Sequence, residues 1–476
     1  MGTAPSPPDG TPLCVDLDGT LLRTDLLYEA VLALLRRNPF YLLLLPLWLL
    51  RGKAALKAEI SRRVELDPAD LPYDERVLEL LRGHVGERVL CTASDQSLAH
   101  AVAAHLGLFD TVLASDGQCN LSGVRKAAVL TQRYGAGGFD YAGNGRVDLH
   151  VWRHARAAWV VNASDGLSRA AADLTRVAGH LPAQGGGLRG WLRALRIHQW
   201  LKNLLVFAPL LASHRFLEVP AILAALAVFV AFSLCASGVY VLNDLFDLAA
   251  DRQHPRKRRR PFAAGELPLL HGMAATLVLT LAGLALGFAV NLRTGLVLLA
   301  YCGCTLAYSL FLKRKAMVDV LLLAGLYTLR IIAGTVAIGA ALSFWLLAFS
   351  MFIFLSLAML KRYTELSLLL ASGRNVANGR GYSVDDLALL QSLGGSSGYL
   401  AVLVFALYIN SPDSLVLYTH HKALWLVCPL LLYWISRAWM VAGRGGMDDD
   451  PVVFAVTDRV SQCVIALCGL LVLLAI

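Results

Sequence analysis

Asp244, Asp247 and Asp251 stand at i, i+3 and i+7 in the segment NDLFDLAADRQHPRKRRRPFAAG, residues 243–265, directly after an apolar run ending near Leu242. If that run is a helix continuing past Leu242, the three carboxylates share one face. Carboxylates so placed repel one another unless a divalent cation sits between them. Mg2+ suits such a site, because it takes oxygen ligands and keeps one or two carboxylates together with substrate phosphates. The bases that follow, Arg252, Arg256, Lys257, Arg258, Arg259 and Arg260, are counter-charges for a polyanion. Acids and bases together fit a metal-bridged diphosphate; a solvated loop whose bases only set membrane topology is the plainer alternative.

A second pair of acids lies in PLCVDLDGTLLRTD, residues 12–25, where a short apolar strand, Leu13–Leu17, runs into a turn carrying Asp16, Asp18, Gly19 and Thr20. Two carboxylates two apart at a strand end can divide labour: one attacks phosphorus, the other protonates the leaving oxygen. The glycine lets backbone amides approach a phosphate.

These sites sit in very different surroundings. Over 476 residues the chain is 57% hydrophobic and 16% charged, whereas a soluble domain is nearer half apolar and a quarter charged. The excess is uneven: residues 1–190 have ordinary composition, and 200–476 are repeated apolar blocks. Blocks at 202–213, 219–242, 269–290, 295–312, 318–340, 342–360, 394–410, 421–440 and 459–476 predict nine membrane helices, the first being short. With residue 1 in the cytoplasm, the inside loops hold Arg252–Arg260, Lys313–Lys315, Lys361, Arg362, Arg374, Arg380, Arg437, Arg444 and Arg459. The outside loops hold only Arg215, Arg293 and Lys422, which fixes the orientation. The net charge of +9 is therefore topology and anionic ligand rather than nucleic acid. MGTAPSPPDGTPL has neither the basic nor the apolar region of a signal peptide. The nine cysteines form no CxxC pair and read as buried reduced thiols. PAQGGGLRG, residues 182–190, is a glycine-rich hinge between the halves. NPFYLLLLPLWLLRG, residues 38–52, is too short to span. It reads either as an interfacial segment flanked by Arg36, Arg37, Arg51 and Lys53 or as a buried helix.

The DxDGT run resembles the haloacid-dehalogenase phosphohydrolases over roughly residues 11–180, implying an α/β Rossmann-like domain with a helical cap at about 25–85. On that resemblance Asp16 is the nucleophile and Asp18 the acid/base. Thr92 and Ser94 in RVLCTASDQ are phosphate ligands, and Lys126 in GVRKAAVL balances phosphate charge. FDYAGNGRVD holds the Mg2+ end of the site, where Asn144 replaces the usual first acid. That leaves Asp148 as metal ligand beside Asp16, with Asp140 a substitute.

Asn243, Asp244, Asp247 and Asp251 match the NDxxDxxxD motif of the UbiA superfamily of intramembrane prenyltransferases, which the chain resembles over about residues 190–476. The resemblance implies a C-terminal all-α bundle of nine transmembrane helices, a Mg2+ cofactor, and a multi-pass protein of the bacterial cytoplasmic membrane with its N-terminal domain in the cytoplasm. Most members carry a second acidic motif after helix six. Here that loop reads LKRYTELSLLLASGRNVANGRGYSVDD and offers Lys361, Arg362, Tyr363 and Glu365, with Asp385 and Asp386 twenty residues later. RIHQWLKNLLVFAPL, residues 196–210, and KRYTEL, residues 361–366, are more similar to a side branch, the polyprenyl-phosphate (decaprenyl-phosphate-type) phosphoribosyltransferases. That branch implies phosphoribosyl pyrophosphate as donor and a polyprenyl phosphate as acceptor. It assigns Lys202, Lys257, Arg260, Lys361 and Arg362 to phosphates, and Asn243, Tyr363 and Glu365 to the sugar. Lys313 ends YSLFLKRK. Arg330, a lone arginine within an apolar helix, is either a phosphate ligand or the structural partner of Asp319. Prenyl transfer from a diphosphate donor to an aromatic acceptor, and a non-enzymatic scaffold or transporter, stand as alternatives.

Overall fold

A computed structural model describes residues 10–371, 381–447 and 450–476, and the chain divides into two compact units. Arg374 and Arg380, assigned above to an inside loop, lie outside the described residues.

The first unit comprises the chain to Leu195 together with Tyr240–Ala275. Its centre is a six-stranded sheet of β1 (Leu13–Val15), β2 (Arg88–Asp95), β3 (Thr111–Ser115), β4 (Asp140–Gly143), β5 (Ala157–Ala163) and β6 (Arg176–Pro182). The order is β3-β2-β1-β4-β5-β6 and every neighbouring pair is parallel. Leu13, Cys14 and Val15 are all buried, as a parallel strand covered on both faces requires. The strand order reverses between β1 and β4, and ligands of such sheets bind at the carboxyl ends of the strands at that point. This is the Rossmann-like architecture that the acid pair implies.

The helix Leu26–Arg37 leaves the acid turn through Asp25, whose carboxylate accepts from the amides of Leu27 and Tyr28, satisfying two of the orphan donors at a helix start. Its buried face, Leu26, Ala30, Val31 and Leu34, repeats at helical spacing. The segment after it does not pack as a buried helix. Phe40, Leu42, Leu43, Leu47, Leu49 and Leu50 are each more than half exposed, and Trp48 is buried, with Tyr41 and Leu45 partly so beside it. All nine cysteines are free, and Cys119 and Cys463 are exposed rather than buried.

The second unit is helical and comprises Arg196–Val239 and Thr276–Ile476. Among the described residues of the whole chain, seven helices are long and apolar enough to cross a membrane: Val219–Phe246, Leu269–Val290, Leu292–Leu310, Val318–Ala337, Phe344–Ala371, Val384–Ile409 and His421–Gly443. Pro451–Thr457 with Arg459–Ala475, bent by 76°, makes an eighth if counted as one span. The protein is thus a multi-pass membrane protein. The block at 202–213 is a 3-10 segment, Ile197–Phe207, and a short helix, Ala208–Ala212, rather than a ninth span. Gly334 explains part of its course: a Cβ there would sit 2.1 Å from the Val206 carbonyl oxygen, so only glycine admits this close approach.

Candidate functional site

In the first unit, Asp16 lies just past β1 and forms a 2.9 Å ion pair with Lys126, a fully buried lysine of the helix Val124–Tyr134. Asp18 accepts from Leu26 N at 2.8 Å and from Ser94 Oγ at 2.6 Å. Gly19 has φ +73, and a Cβ on it would collide with the Asn144 amide 1.9 Å away, so the turn requires glycine. Thr92 is buried beside this pair, its hydroxyl accepting from Ser94 N. Burial pushes the Asp16 carboxyl up to about 6 against the pull of Lys126, and burial followed by Asp25 lifts Asp18 to about 6. Both carboxyls thus sit near neutrality, and the lysine on Asp16 favours its ionised form, which suits Asp16 as nucleophile and Asp18 as acid. A cavity of about 610 Å3 lined by Asn144, Arg146, Asn162 and Ser164 adjoins the turn, and Asn162 Nδ2 donates to Gly19 O at 3.1 Å.

The metal end of this site does not fit a divalent ion. Asp148 is occupied on both oxygens: Oδ2 accepts from Asn144 N and Gly145 N, and Oδ1 from the Tyr141 hydroxyl. Asp140, the substitute, is bound bidentately by Arg156.

The NDxxDxxxD segment departs from the single helical face expected for it. The helix Val219–Phe246 ends after Asp244, Asp247 takes the cap position with φ −100, and Leu248–Gln253 begins a new short helix. Asp244 and Asp251 nevertheless converge: Arg260 Nη1 lies 3.1 Å from Asp244 Oδ1 and 2.7 Å from Asp251 Oδ2. Asp247 faces Arg36 instead, at 3.3 Å. Burial raises the Asp251 carboxyl, with Arg260 opposing. Two nearly buried carboxylates meeting on one cationic nitrogen are an all-oxygen donor set of the kind Mg2+ takes, with the guanidinium standing in for the ion. Asn243 is part-buried one residue before Asp244, and Lys257 is exposed in the turn Lys257–Arg259.

This segment is wired into the α/β domain. Arg252 makes a two-pronged pair with Glu29, at 2.5 and 3.2 Å, both side chains buried. Thr24 Oγ1 donates to the same carboxylate at 2.7 Å, Arg36 Nη1 donates to Phe246 O at 2.8 Å, and Gln253 donates to Asp70. Gly265, at φ +69, packs on Arg23.

In the second unit, Lys202 and Lys361 meet on one carboxylate, Asp450, which sequence reasoning missed. Arg362 pairs with Asp319 at 2.5 Å and with Glu365, and donates to the Tyr308 hydroxyl at 2.9 Å. Tyr382 also donates to Asp319. Arg330 is therefore not the partner of Asp319. It is held by Asn203 Oδ1, the Tyr301 hydroxyl and the Leu326 carbonyl, with its guanidinium 5.0 Å from the Tyr301 ring centroid. Tyr363 packs edge-on against Trp439, and Lys313 is part-buried at a 3-10 turn. Asp386 caps its own turn by accepting from Ser383 N, and Glu365 is tied to Arg362. Among the described residues, no group of three His, Cys, Asp or Glu is placed to hold a metal by itself.

Residues 204–457 match the UbiA prenyltransferase family model. The chain is 36% identical over 468 residues to the uncharacterized protein y4nM of Sinorhizobium fredii, an alignment covering 96% of this chain and 89% of that protein. It is 33% identical over 279 residues to the decaprenyl-phosphate phosphoribosyltransferase of Mycobacterium tuberculosis, covering 57% of this chain and 89% of that protein. A solved UbiA homolog from Archaeoglobus fulgidus, bound to GPP and Mg2+, is 18% identical with a TM-score of 0.45, over 60% of this chain and 99% of that one.

Proposed function

Because the chain belongs to the UbiA prenyltransferase family, we propose that it transfers 5-phosphoribose from phosphoribosyl pyrophosphate to a polyprenyl phosphate, and that the α/β domain then removes the 5-phosphate. The observation that carries the first part is the Lys202–Asp450–Lys361 arrangement. Two ammonium groups gathered on one carboxylate form an anion site, where a second diphosphate-binding metal centre would need acids. The similarity to decaprenyl-phosphate phosphoribosyltransferase supports the same donor and class of acceptor.

In the transfer, the C1–oxygen bond to pyrophosphate breaks as a lipid phosphate oxygen bonds to C1, and pyrophosphate leaves. That nucleophile is already anionic near neutral pH, so no strong general base is required. Asp244 and Asp251 would hold Mg2+, which would neutralise charge on the leaving group, while Asp247 faces Arg36. Arg260 exchanges its carboxylate partners for the pyrophosphate, Lys257 adds to the same field, and Asn243 orients the sugar. In the second unit Lys202, Lys361, Arg362, Lys313 and Arg330 serve anionic groups, and Tyr363 and Glu365 the sugar. Preformed cations of this kind cost no reorganisation when charge develops.

In the α/β domain, Asp16 attacks the 5-phosphate while Asp18 gives its proton to the departing ribose oxygen; water then releases phosphate from Asp16. Lys126 and the hydroxyls of Thr92 and Ser94 face the phosphate. The cavity at Asn144 and Arg146 offers polar groups to a sugar among a mixed lining that includes Leu149 and Leu167.

The test incubates membranes containing the protein with Mg2+, a polyprenyl phosphate and ribose-labelled phosphoribosyl pyrophosphate, with Asp244→Asn membranes as control. Label entering the organic phase only with the unaltered chain is the expected result. No label across a range of lipid lengths, with the protein folded, would move the assignment to prenyl diphosphate donors.

A further inference from the structure

Residues Pro39–Leu50 carry six large apolar side chains that are more than half exposed: Phe40, Leu42, Leu43, Leu47, Leu49 and Leu50. A contiguous apolar face of this kind on a domain surface marks an interaction site. Three observations say what covers it. First, exposed Arg37 precedes the segment and exposed Arg51 and Lys53 follow it, which complements an anionic surface. Second, the segment starts where a membrane helix stops, since Arg36, three residues before Pro39, donates to the carbonyl of Phe246, the last residue of the span Val219–Phe246. Third, its inward side shares a cluster with Met273, in the opening turns of the span Leu269–Val290, where Tyr41, Leu45 and Trp48 pack with Ile60.

We propose that Pro39–Leu50 is a membrane-surface anchor, lying along an anionic bilayer with its leucines and Phe40 among the acyl chains and Arg37, Arg51 and Lys53 at lipid phosphates. The segment cannot span, because a crossing helix needs about 20 residues. A short amphipathic segment instead settles about 5–10 Å into the headgroup–acyl boundary. Trp48 stays inside, with the Arg63 guanidinium 4.8 Å from its ring centroid, so the buried side fixes which face is offered to lipid. The anchor holds the α/β domain at the membrane surface by a contact separate from its chain connections. It does not depend on which substrates the transferase uses.

The test uses the full chain in vesicles containing anionic lipid. Cys119 and Cys463 are replaced by serine, and an environment-sensitive fluorophore is attached at Leu43→Cys or, as control, at Val85→Cys, a position 89% exposed. The Leu43 probe is expected to emit at shorter wavelength than the Val85 probe. Spin-labelled lipids should quench it, while the Val85 probe should respond as in water. Two outcomes overturn the anchor: a Leu43 probe that behaves like the Val85 probe, and one that is shielded but unquenched by lipid, which would put another protein surface over this face. Intrinsic tryptophan emission matching that of the unlabelled chain, in the same preparation, separates either result from misfolding.

Discussion

Asp18 can lose its charge without losing its contacts. Asparagine at this position can still accept from Leu26 N and pair with Ser94 Oγ. In the folded chain burial holds the Asp18 carboxyl up at about 6, above its unfolded value, so its stabilising contribution is full below the ordinary carboxylate range and lost as pH rises through about 6. Asp18→Asn should therefore stabilise the α/β domain at neutral pH by on the order of 1–3 kcal/mol, raising its unfolding midpoint, with the difference vanishing near pH 4. A melting series against pH checks it, and a pH-independent effect would reject this account. Dephosphorylation, which needs Asp16 ionised and Asp18 protonated, should show a narrow optimum near pH 6. Arg260 supports a prediction of opposite kind. Removing a guanidinium shared by two carboxylates costs roughly 1.5–3 kcal/mol of charge-assisted hydrogen bonding. Arg260→Gln should weaken apparent affinity for phosphoribosyl pyrophosphate about tenfold or more while lowering the Mg2+ concentration needed, measured by Mn2+ titration and by KM. The acids in both motifs were legible because their spacing is local. Asp450 was not, because its meaning depends on Lys202, 248 residues away, and beside a proline it reads only as a helix cap. The Asp319 alternative for Arg330 failed for the same reason, since Asp319 stands on the same helix, Val318–Ala337, while the actual partner Asn203 lies on another segment.

Elements decide where those acids point. An unbroken helix through Asp251 would have set three carboxylates in one row; the break at Asp247 sends one toward Arg36 and leaves two on Arg260. Nothing in LFDLAAD announces that break, because every residue there tolerates a helix. What imposes it is tertiary: Glu29 and Arg36 of the helix Leu26–Arg37 seize Arg252, Phe246 and Asp247, and apolar residues Leu32, Val241, Leu245, Leu248 and Phe262 pack between them. Glu29 thus positions the acidic segment through Arg252. Glu29→Leu alone leaves Arg252 buried without its counter-charge, which costs about 3–5 kcal/mol. The paired change Glu29→Leu with Arg252→Met should recover much of that stability, giving a coupling of roughly 0.5–3 kcal/mol in a double-mutant cycle. Additive losses would show that the two side chains act separately. The span count was limited by the same kind of effect, since 202–213 has the composition of a membrane block but is shaped by Arg330 and Gly334 into a short packed segment.

At the scale of the whole molecule, the acid turn of the α/β domain and the acidic segment after the span Val219–Phe246 belong to one compact unit. The path between them is short in structural terms: Asp18 receives Leu26 N at the start of a helix, and the same helix presents Glu29 and Arg36 to the NDxxDxxxD segment. A chain that first attaches ribose 5-phosphate to a lipid and then hydrolyses the phosphate monoester has a chemical reason for this fusion, because the product of one site is a substrate for the other. Asp16→Asn should then give membranes that still incorporate ribose into lipid but accumulate the 5-phosphorylated product, resolved by the phosphate content of the labelled lipid. That substitution strands Lys126, buried and paired with Asp16, so unfolding could imitate the result. Asp18→Asn, which keeps its neighbours, removes the ambiguity: it should accumulate the same phosphorylated lipid while the domain melts no lower than the parent. Dephosphorylation at the parental rate in both variants would leave the α/β domain as a support for the acidic segment, with its own chemistry unused.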